Sequence, residues 1–291
     1  MKGFEKIGAT INQGFGKIVC EAKEIKPAEV NLDFPSVGAT ENIMLAAVLS
    51  EGTTKIINAA MEPEIVDLQN FLNKMGAKIE GAGSNIIKIQ GVKKLKDVSY
   101  NIMPDRIEAG TLLCAAAVTG GEIKLKKVNV LHIAPILNKL TEAGCTIKLK
   151  ENEINLKAPK RLKAIDIKTM PYPGFPTDMQ AIMGGILVLA NGTSVIVENI
   201  FENRYKYIQE LKKMGAKVNV EGKTAVIKGV KRLYGSKVMA TDLRGGASLV
   251  LAGLAAKGTT NVENIEYILR GYENLELKLK NLGAEIYLVK E

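Results

Sequence analysis

The chain has 291 residues, of which 46% are hydrophobic and 24% charged, ordinary values for a globular protein long enough for about two domains. The net charge of +9 would suit nucleic acid or an anionic small molecule, but only 5% of residues are aromatic and there is no tryptophan. That argues against a base-stacking nucleic-acid platform. No apolar run approaches the roughly 18 residues of a membrane span, and MKGFEKIGATINQG lacks the apolar centre of a secretion signal. A cytoplasmic chain with no membrane or nucleic-acid partner is expected.

Along the chain, a glycine followed by a small residue recurs at KIGATI (Gly8), KMGAKI (Gly76), EAGCTI (Gly144), KMGAKV (Gly215) and NLGAEI (Gly283), spaced 68, 68, 71 and 68 residues apart. Amphipathic stretches such as IVDLQNFLNKM and YIQELKKM precede these glycines, with apolar residues at helical spacing. Each glycine fits the position just past a helix end. Alternating segments follow, such as KIEGAGSNIIKIQGV and KVNVEGKTAVIKGV, and these read as hairpins.

In phase with this mark runs a second one: a polar loop, a small-residue helix, a glycine and a strand. It occurs at SVGATENIMLAAVLSEGTTKIINA, DRIEAGTLLCAAAVTGGEIKLKKV, TDMQAIMGGILVLANGTSVIVENI and TDLRGGASLVLAGLAAKGTTNVENI. These helices are apolar on nearly all faces, which predicts burial. The repeat is strand, buried helix, strand, surface helix, hairpin, and a little over four copies fit the length. The fold class is therefore α/β (α+β), with βαβαββ units arranged around central helices.

A helix start offers unpaired N–H groups and partial positive charge, and so binds phosphate or carboxylate. The four starts hold Ser36-Val37-Gly38, Asp105-Arg106, Thr177-Asp178 and Asp242-Leu243-Arg244. The plainer alternative makes Ser and Asp simple N-caps and the arginines ion-paired. Before the third helix stands MPYPGFPTDMQ, where three prolines stiffen a loop that carries Asp178.

The three cysteines, Cys20, Cys114 and Cys145, lie in apolar runs and read as buried thiols with no metal or disulfide role. The sole histidine, His132, reads as a loop or cap residue, and no residue set suits a metal.

PYPGFPTDMQA, SVGATENIMLAAVLSEGTT, EPEIVD with FLNKMGAKI, PDRIEAGT, FENRY, and VMATDLRGGASLVLAGLAAKGTT with RGYENLELKL together resemble the UDP-N-acetylglucosamine 1-carboxyvinyltransferases. The resemblance covers essentially the whole chain. It implies an inside-out α/β barrel in each of two domains, at 1–103 (partial) and 104–291. It also implies transfer of the enolpyruvyl group of phosphoenolpyruvate to the 3′-hydroxyl of UDP-N-acetylglucosamine, with release of phosphate. That reaction opens peptidoglycan (cell wall) synthesis and uses no cofactor.

By the same resemblance, Asp178 contacts the sugar hydroxyl and is the candidate base. Ile200 contacts the nucleotide sugar through its backbone, and Ser36, Val37 and Gly38 cradle the diphosphate. Arg244 and Arg270 hold phosphoenolpyruvate, and Glu62, Arg106, Arg204 and Asp242 support the site. The family has six units. The resemblance therefore implies that an N-terminal stretch of about 125 residues, including the family's reactive cysteine, is not represented here. Two alternatives follow: a non-catalytic nucleotide-sugar-binding remnant, or a chain that needs an N-terminal fragment in trans.

Overall fold

In a computed structural model, residues 1–289 are described. The chain divides into two compact units, residues 1–103 with 171–173, and residues 104–170 with 174–291.

The first unit opens with α1 (Lys2–Lys6), the hairpin β1 (Thr10–Gly14) and β2 (Lys17–Glu21), then β3 (Glu29–Asn31), α2 (Val37–Ala47), β4 (Thr53–Ile57), α3 (Pro63–Lys74), β5 (Lys78–Glu80) and β6 (Ile86–Gln90). Its main sheet has the order β3-β4-β6-β5, with β3 parallel to β4 and the other pairs antiparallel. Strand residues alternate between buried and exposed, so Ile56, Ile87, Ile89 and Ile79 pack against Ile43, Met44 and Ile65 from the helices.

The second unit begins with α4 (Arg106–Thr119), β7 (Glu122–Lys126), α5 (Ala134–Glu142), β8 (Thr146–Lys150) and β9 (Glu153–Lys157). It continues with β10 (Ile167–Lys168), α6 (Gln180–Leu187), β11 (Thr193–Val197), α7 (Tyr207–Lys213), β12 (Lys217–Glu221) and β13 (Thr224–Lys228). It closes with β14 (Lys237–Met239), α8 (Leu243–Leu254), β15 (Asn261–Glu263), α9 (Glu266–Leu269) and α10 (Leu275–Asn281). The sheets run β7-β9-β8, β10-β11-β13-β12 and β14-β15. The apolar helices α4, α6 and α8 each pack against the other two, and form the centre of one continuous core. Sheets and amphipathic helices lie outside them, which is the inside-out arrangement expected.

Helix α6 is buried along its whole length, and its approach to its neighbours depends on two glycines. A Cβ on Gly185 would fall 2.2 Å from Ser248 Oγ of α8, and one on Gly184 would fall 2.2 Å from the Tyr207 hydroxyl of α7. Any larger side chain would push the helices apart.

The five repeat-marking glycines all adopt left-handed φ, from 94° to 103°, at helix ends. This conformation costs glycine nothing and strains other residues.

Three expectations need correction. Cys20 is exposed, not buried, because β1 and β2 pair only with each other and every residue of β2 faces solvent. The second copy of the repeat has no leading strand, since the chain crosses from one unit to the other at residues 103–104. Helix α2 is less buried than its sisters, with Leu45 52% exposed. It is the one apolar repeat helix of its unit, whereas α4, α6 and α8 cover one another.

Candidate active site

The second unit brings Asp178, Arg204 and Arg244 together. The loop ahead of Asp178 is closed by the Met170 N–H donating to the Phe175 carbonyl at 3.0 Å. A short 3-10 turn, Thr177–Met179, follows and leads into α6. That turn starts from Pro176, which has no side chain able to cap it, so the Asp178 carboxylate is not spent on the backbone.

Arg204 comes from the turn between β11 and α7, and its guanidinium donates to Asp178 Oδ1 at 2.6 Å. It also lies 4.8 Å above the Phe201 ring, a cation–π contact. Arg244, in the first turn of α8, donates to Asp178 Oδ2 at 3.2 Å.

The electrostatics follow from this packing. Burial raises the Asp178 carboxyl, but Arg244 and Arg204 lower it more, so it sits below the ordinary carboxylate range. For Arg244, burial works against the charge, while Tyr272 and Asp178 more than offset it. The Arg244 guanidinium stands 5.3 Å from the centre of the Tyr272 ring.

These arginines are not saturated. Among the described residues, Nε and Nη1 of Arg244 and Nε of Arg204 are buried and have no hydrogen-bond partner. Donors of this kind, buried and charged, are costly unless an acceptor meets them. An anion with several oxygens would supply what one carboxylate does not.

The remaining expected residues are placed as follows. Asp242 caps α8, accepting from the N–H groups of Arg244 (3.0 Å) and Gly245 (2.8 Å), and thereby fixes the turn that carries Arg244. Asp105 caps α4 in the same way, and Arg106 is the first residue of that helix. Arg270 is exposed at the end of α9, two residues before Tyr272.

Ser36, Val37, Gly38 and Glu62 belong to the first unit. The Ser36 side chain caps α2 by accepting from the Ala39 N–H at 3.3 Å, and a Cβ on Gly38 would meet only open space. Glu62 precedes Pro63 at the start of α3, and its Oε2 is buried with no hydrogen-bond partner among the described residues. Together with Glu64 it helps burial push up the neighbouring Glu41 carboxyl.

The plainer reading of the helix starts thus holds for Ser36, Asp105 and Asp242 as caps, and Arg244 is ion-paired. It fails for Asp178, which caps nothing.

Three residues that organise this region were not singled out from the sequence: Tyr272, Thr111 and Glu198. Tyr272 is 1% exposed, and its hydroxyl is 2.8 Å from Thr111 Oγ1 on α4. Glu198 is also 1% exposed and accepts four hydrogen bonds. An acid at the end of the apolar run TSVIVE was the one available sign of it.

The helices lie inside and the sheets outside, with partly unsatisfied arginines around a carboxylate, an arrangement chemically suited to an anion. Residues 1–279 match the family described as EPSP synthase (3-phosphoshikimate 1-carboxyvinyltransferase), and the chain belongs to this family of enolpyruvyl transferases. It is 55% identical, over 98% of its length and 69% of the relative's, to "UDP-N-acetylglucosamine 1-carboxyvinyltransferase 2" of Caldanaerobacter subterraneus subsp. tengcongensis. It is 52% identical, over its full length and 70% of the relative's, to "UDP-N-acetylglucosamine 1-carboxyvinyltransferase" of Geotalea uraniireducens. Among solved structures, the enolpyruvyl transferase NikO from Streptomyces tendae matches with a TM-score of 0.87 at 26% identity, over 98% of this chain and 71% of that one.

Proposed function

We propose that the chain carries out enolpyruvyl transfer from phosphoenolpyruvate to the 3′-hydroxyl of UDP-N-acetylglucosamine, in the cytoplasm, for peptidoglycan synthesis. The relatives' names at 50–55% identity support the sugar nucleotide as acceptor and a carboxyvinyl group as the group transferred. In the overall reaction the sugar oxygen bonds to C2 of phosphoenolpyruvate, the C2–O bond to phosphorus-bearing oxygen breaks, and phosphate leaves. The hydroxyl proton must pass to an acceptor.

The observation that carries the site assignment is the set of orphaned Arg244 and Arg204 donors beside Asp178. Arg244, with Arg270, would hold the phosphoenolpyruvate anion, because a planar guanidinium pairs two oxygens at once. The arginines would meet that anion with the donors that Asp178 does not use, and so stay beside the carboxylate. Held low by its partners, Asp178 stays ionised and serves as the hydrogen-bond acceptor that orients and polarises the hydroxyl. Ile200 would contact the nucleotide sugar through its backbone, and Ser36, Val37 and Gly38 would receive the diphosphate at the start of α2. Glu62, Arg106 and Asp242 are supporting residues. Residues 1–103 and 104–291 are read as a partial first and a second enolpyruvyl transferase domain.

A second reading, nucleotide-sugar binding without turnover, is favoured by the cysteines. Cys114 and Cys145 are buried, with the Cys145 thiol pushed up to about 11, and Cys20 sits on the exposed hairpin. None is suited to the proton donation expected of the family's cysteine, and none stands in a matching motif. We infer that this cysteine lies in the part of the relatives that these residues do not span, and that turnover needs that part, in cis or in trans.

Phosphate release from the two substrates, by these residues with and without the remaining N-terminal segment of a relative, tests both readings. Release only on addition supports the transferase reading, with a loss of about 10²–10⁴ for Asp178→Ala. Calorimetric binding of UDP-N-acetylglucosamine without release under any condition supports the second. No binding at millimolar ligand removes both.

A further inference from the structure

We infer that Glu198 is the positioning residue of the nucleotide-sugar site: it locks both ends of the proline loop to the turn after β11 and leaves Ile200 only its carbonyl to offer a ligand. This rests on the proposed roles of Asp178 and Ile200.

Glu198 is 1% exposed, immediately after β11. Its Oε1 accepts from the Thr169 hydroxyl (2.8 Å), the Ile200 N–H (2.8 Å) and the Phe201 N–H (3.1 Å). Its Oε2 accepts from the Thr177 hydroxyl at 2.9 Å. All four donors are neutral, and Glu198 makes no ion pair among the described residues. A buried carboxylate is tolerated only when such donors replace water, so all four are held firmly in place.

Each donor has a place in the site. Thr169 and Thr177 bracket the proline loop, and Thr177 is bonded through the chain to Asp178. Thr169 Oγ1 also accepts from the Asn199 N–H at 2.8 Å, which ties the loop's start to the same turn. Phe201 carries the ring under Arg204, which in turn grips Asp178. One carboxylate therefore sets the relative positions of Asp178, Arg204 and Ile200.

A chemical restriction follows. The Ile200 N–H is already spent on Glu198, so a ligand can meet only the Ile200 carbonyl. That carbonyl accepts, so the group facing it must be a donor: an N–H or O–H of the sugar nucleotide, not a phosphate or carbonyl oxygen.

The test measures UDP-N-acetylglucosamine and inorganic phosphate affinities by calorimetry, with hydrogen exchange at the Ile200 and Phe201 amides as a readout that needs no ligand. In Glu198→Gln, Oε1 still accepts three bonds and the amide can donate to Thr177, so affinities near wild type and protected amides are expected. Thr177→Val cuts only the link beside Asp178. It should weaken sugar-nucleotide binding about tenfold while phosphate affinity changes less than about threefold. Glu198→Ala should weaken sugar-nucleotide binding further and expose the two amides. If it does not fold, Thr177→Val carries the test. Wild-type sugar-nucleotide affinity in Thr177→Val, or unprotected amides in the wild type, overturns the inference. If the wild type binds no UDP-N-acetylglucosamine, the functional reading fails instead. The amide pattern across wild type, Gln and Ala variants then decides Glu198 alone.

Discussion

Thr111 and Tyr272 provide a test of the packing that holds Arg244. The two hydroxyl oxygens are 2.8 Å apart, and the residues are 0% and 1% exposed. Thr111 Oγ1 already donates its single hydrogen to the Ile107 carbonyl at 2.8 Å. It can therefore only accept from Tyr272, whose hydroxyl donates. Tyr272→Phe leaves the Ile107 bond intact and should cost about 1 kcal/mol, the net worth of an ordinary hydrogen bond. Thr111→Val strands a buried Tyr272 O–H and should cost about 1–3 kcal/mol. The double variant strands no donor, so it should lose about 1 kcal/mol less than the sum of the two. Urea unfolding followed by circular dichroism measures all three, and a domain of this size should shift by about 2–4 °C in Tm per kcal/mol. Single effects that add to within about 0.3 kcal/mol would show that the hydroxyls do not interact.

Asp105→Ala removes the acceptor of the Ile107 (2.7 Å) and Glu108 (3.0 Å) N–H groups and should destabilise by about 1 kcal/mol in the same assay; no change would mean that water replaces the cap. In the native protein a thiol reagent should modify Cys20 quickly and Cys114 and Cys145 only on unfolding, because burial hides these two and raises their thiols; rapid labelling of all three would contradict the packing of α4. The Asp178 carboxyl is lowered in the folded state, so its ion pairs contribute stability that is present above the unfolded carboxylate value of about 3.9 and is lost as pH falls through the lowered folded value. The stability difference between wild type and Asp178→Asn should be flat near neutrality and shrink in strong acid. A difference unchanged across that range would mean that the carboxylate is not paired.

What could be read directly from the sequence was local. Gly8, Gly76, Gly144, Gly215 and Gly283 each answer a steric demand made within one helix turn, so their spacing gave the repeat. Ser36, Asp105 and Asp242 cap helices whose N–H groups lie two or three residues away. What escaped depends on distant partners. The family resemblance names Asp178, Arg204 and Arg244 singly, but their pairing across 26 and 66 residues of chain is not visible in the sequence. Glu198 gathers Thr169 and Thr177 across 29 and 21 residues. Cys20 was misjudged because the alternation in KIVCE gives a face to bury but not a partner to bury it against.

The difference between the proline loop and its sister loops also has a local origin with a distant effect. In the other three units a Ser or Asp stands at the cap position and its side chain is consumed by the helix it starts. In the third repeat of the buried helix, Pro176 takes the cap position, and a proline ring accepts nothing. The helix start goes without a side-chain cap, at a cost of about 1 kcal/mol. In exchange Asp178, two residues on, keeps both carboxylate oxygens, and these are the oxygens that Arg204 and Arg244 find. A repeat that placed its acid at the cap, as the others do, would bind its own backbone instead of two guanidinium groups. The departure of PYPGFPTDMQ from the pattern of the other helix starts is thus what makes its carboxylate available for chemistry.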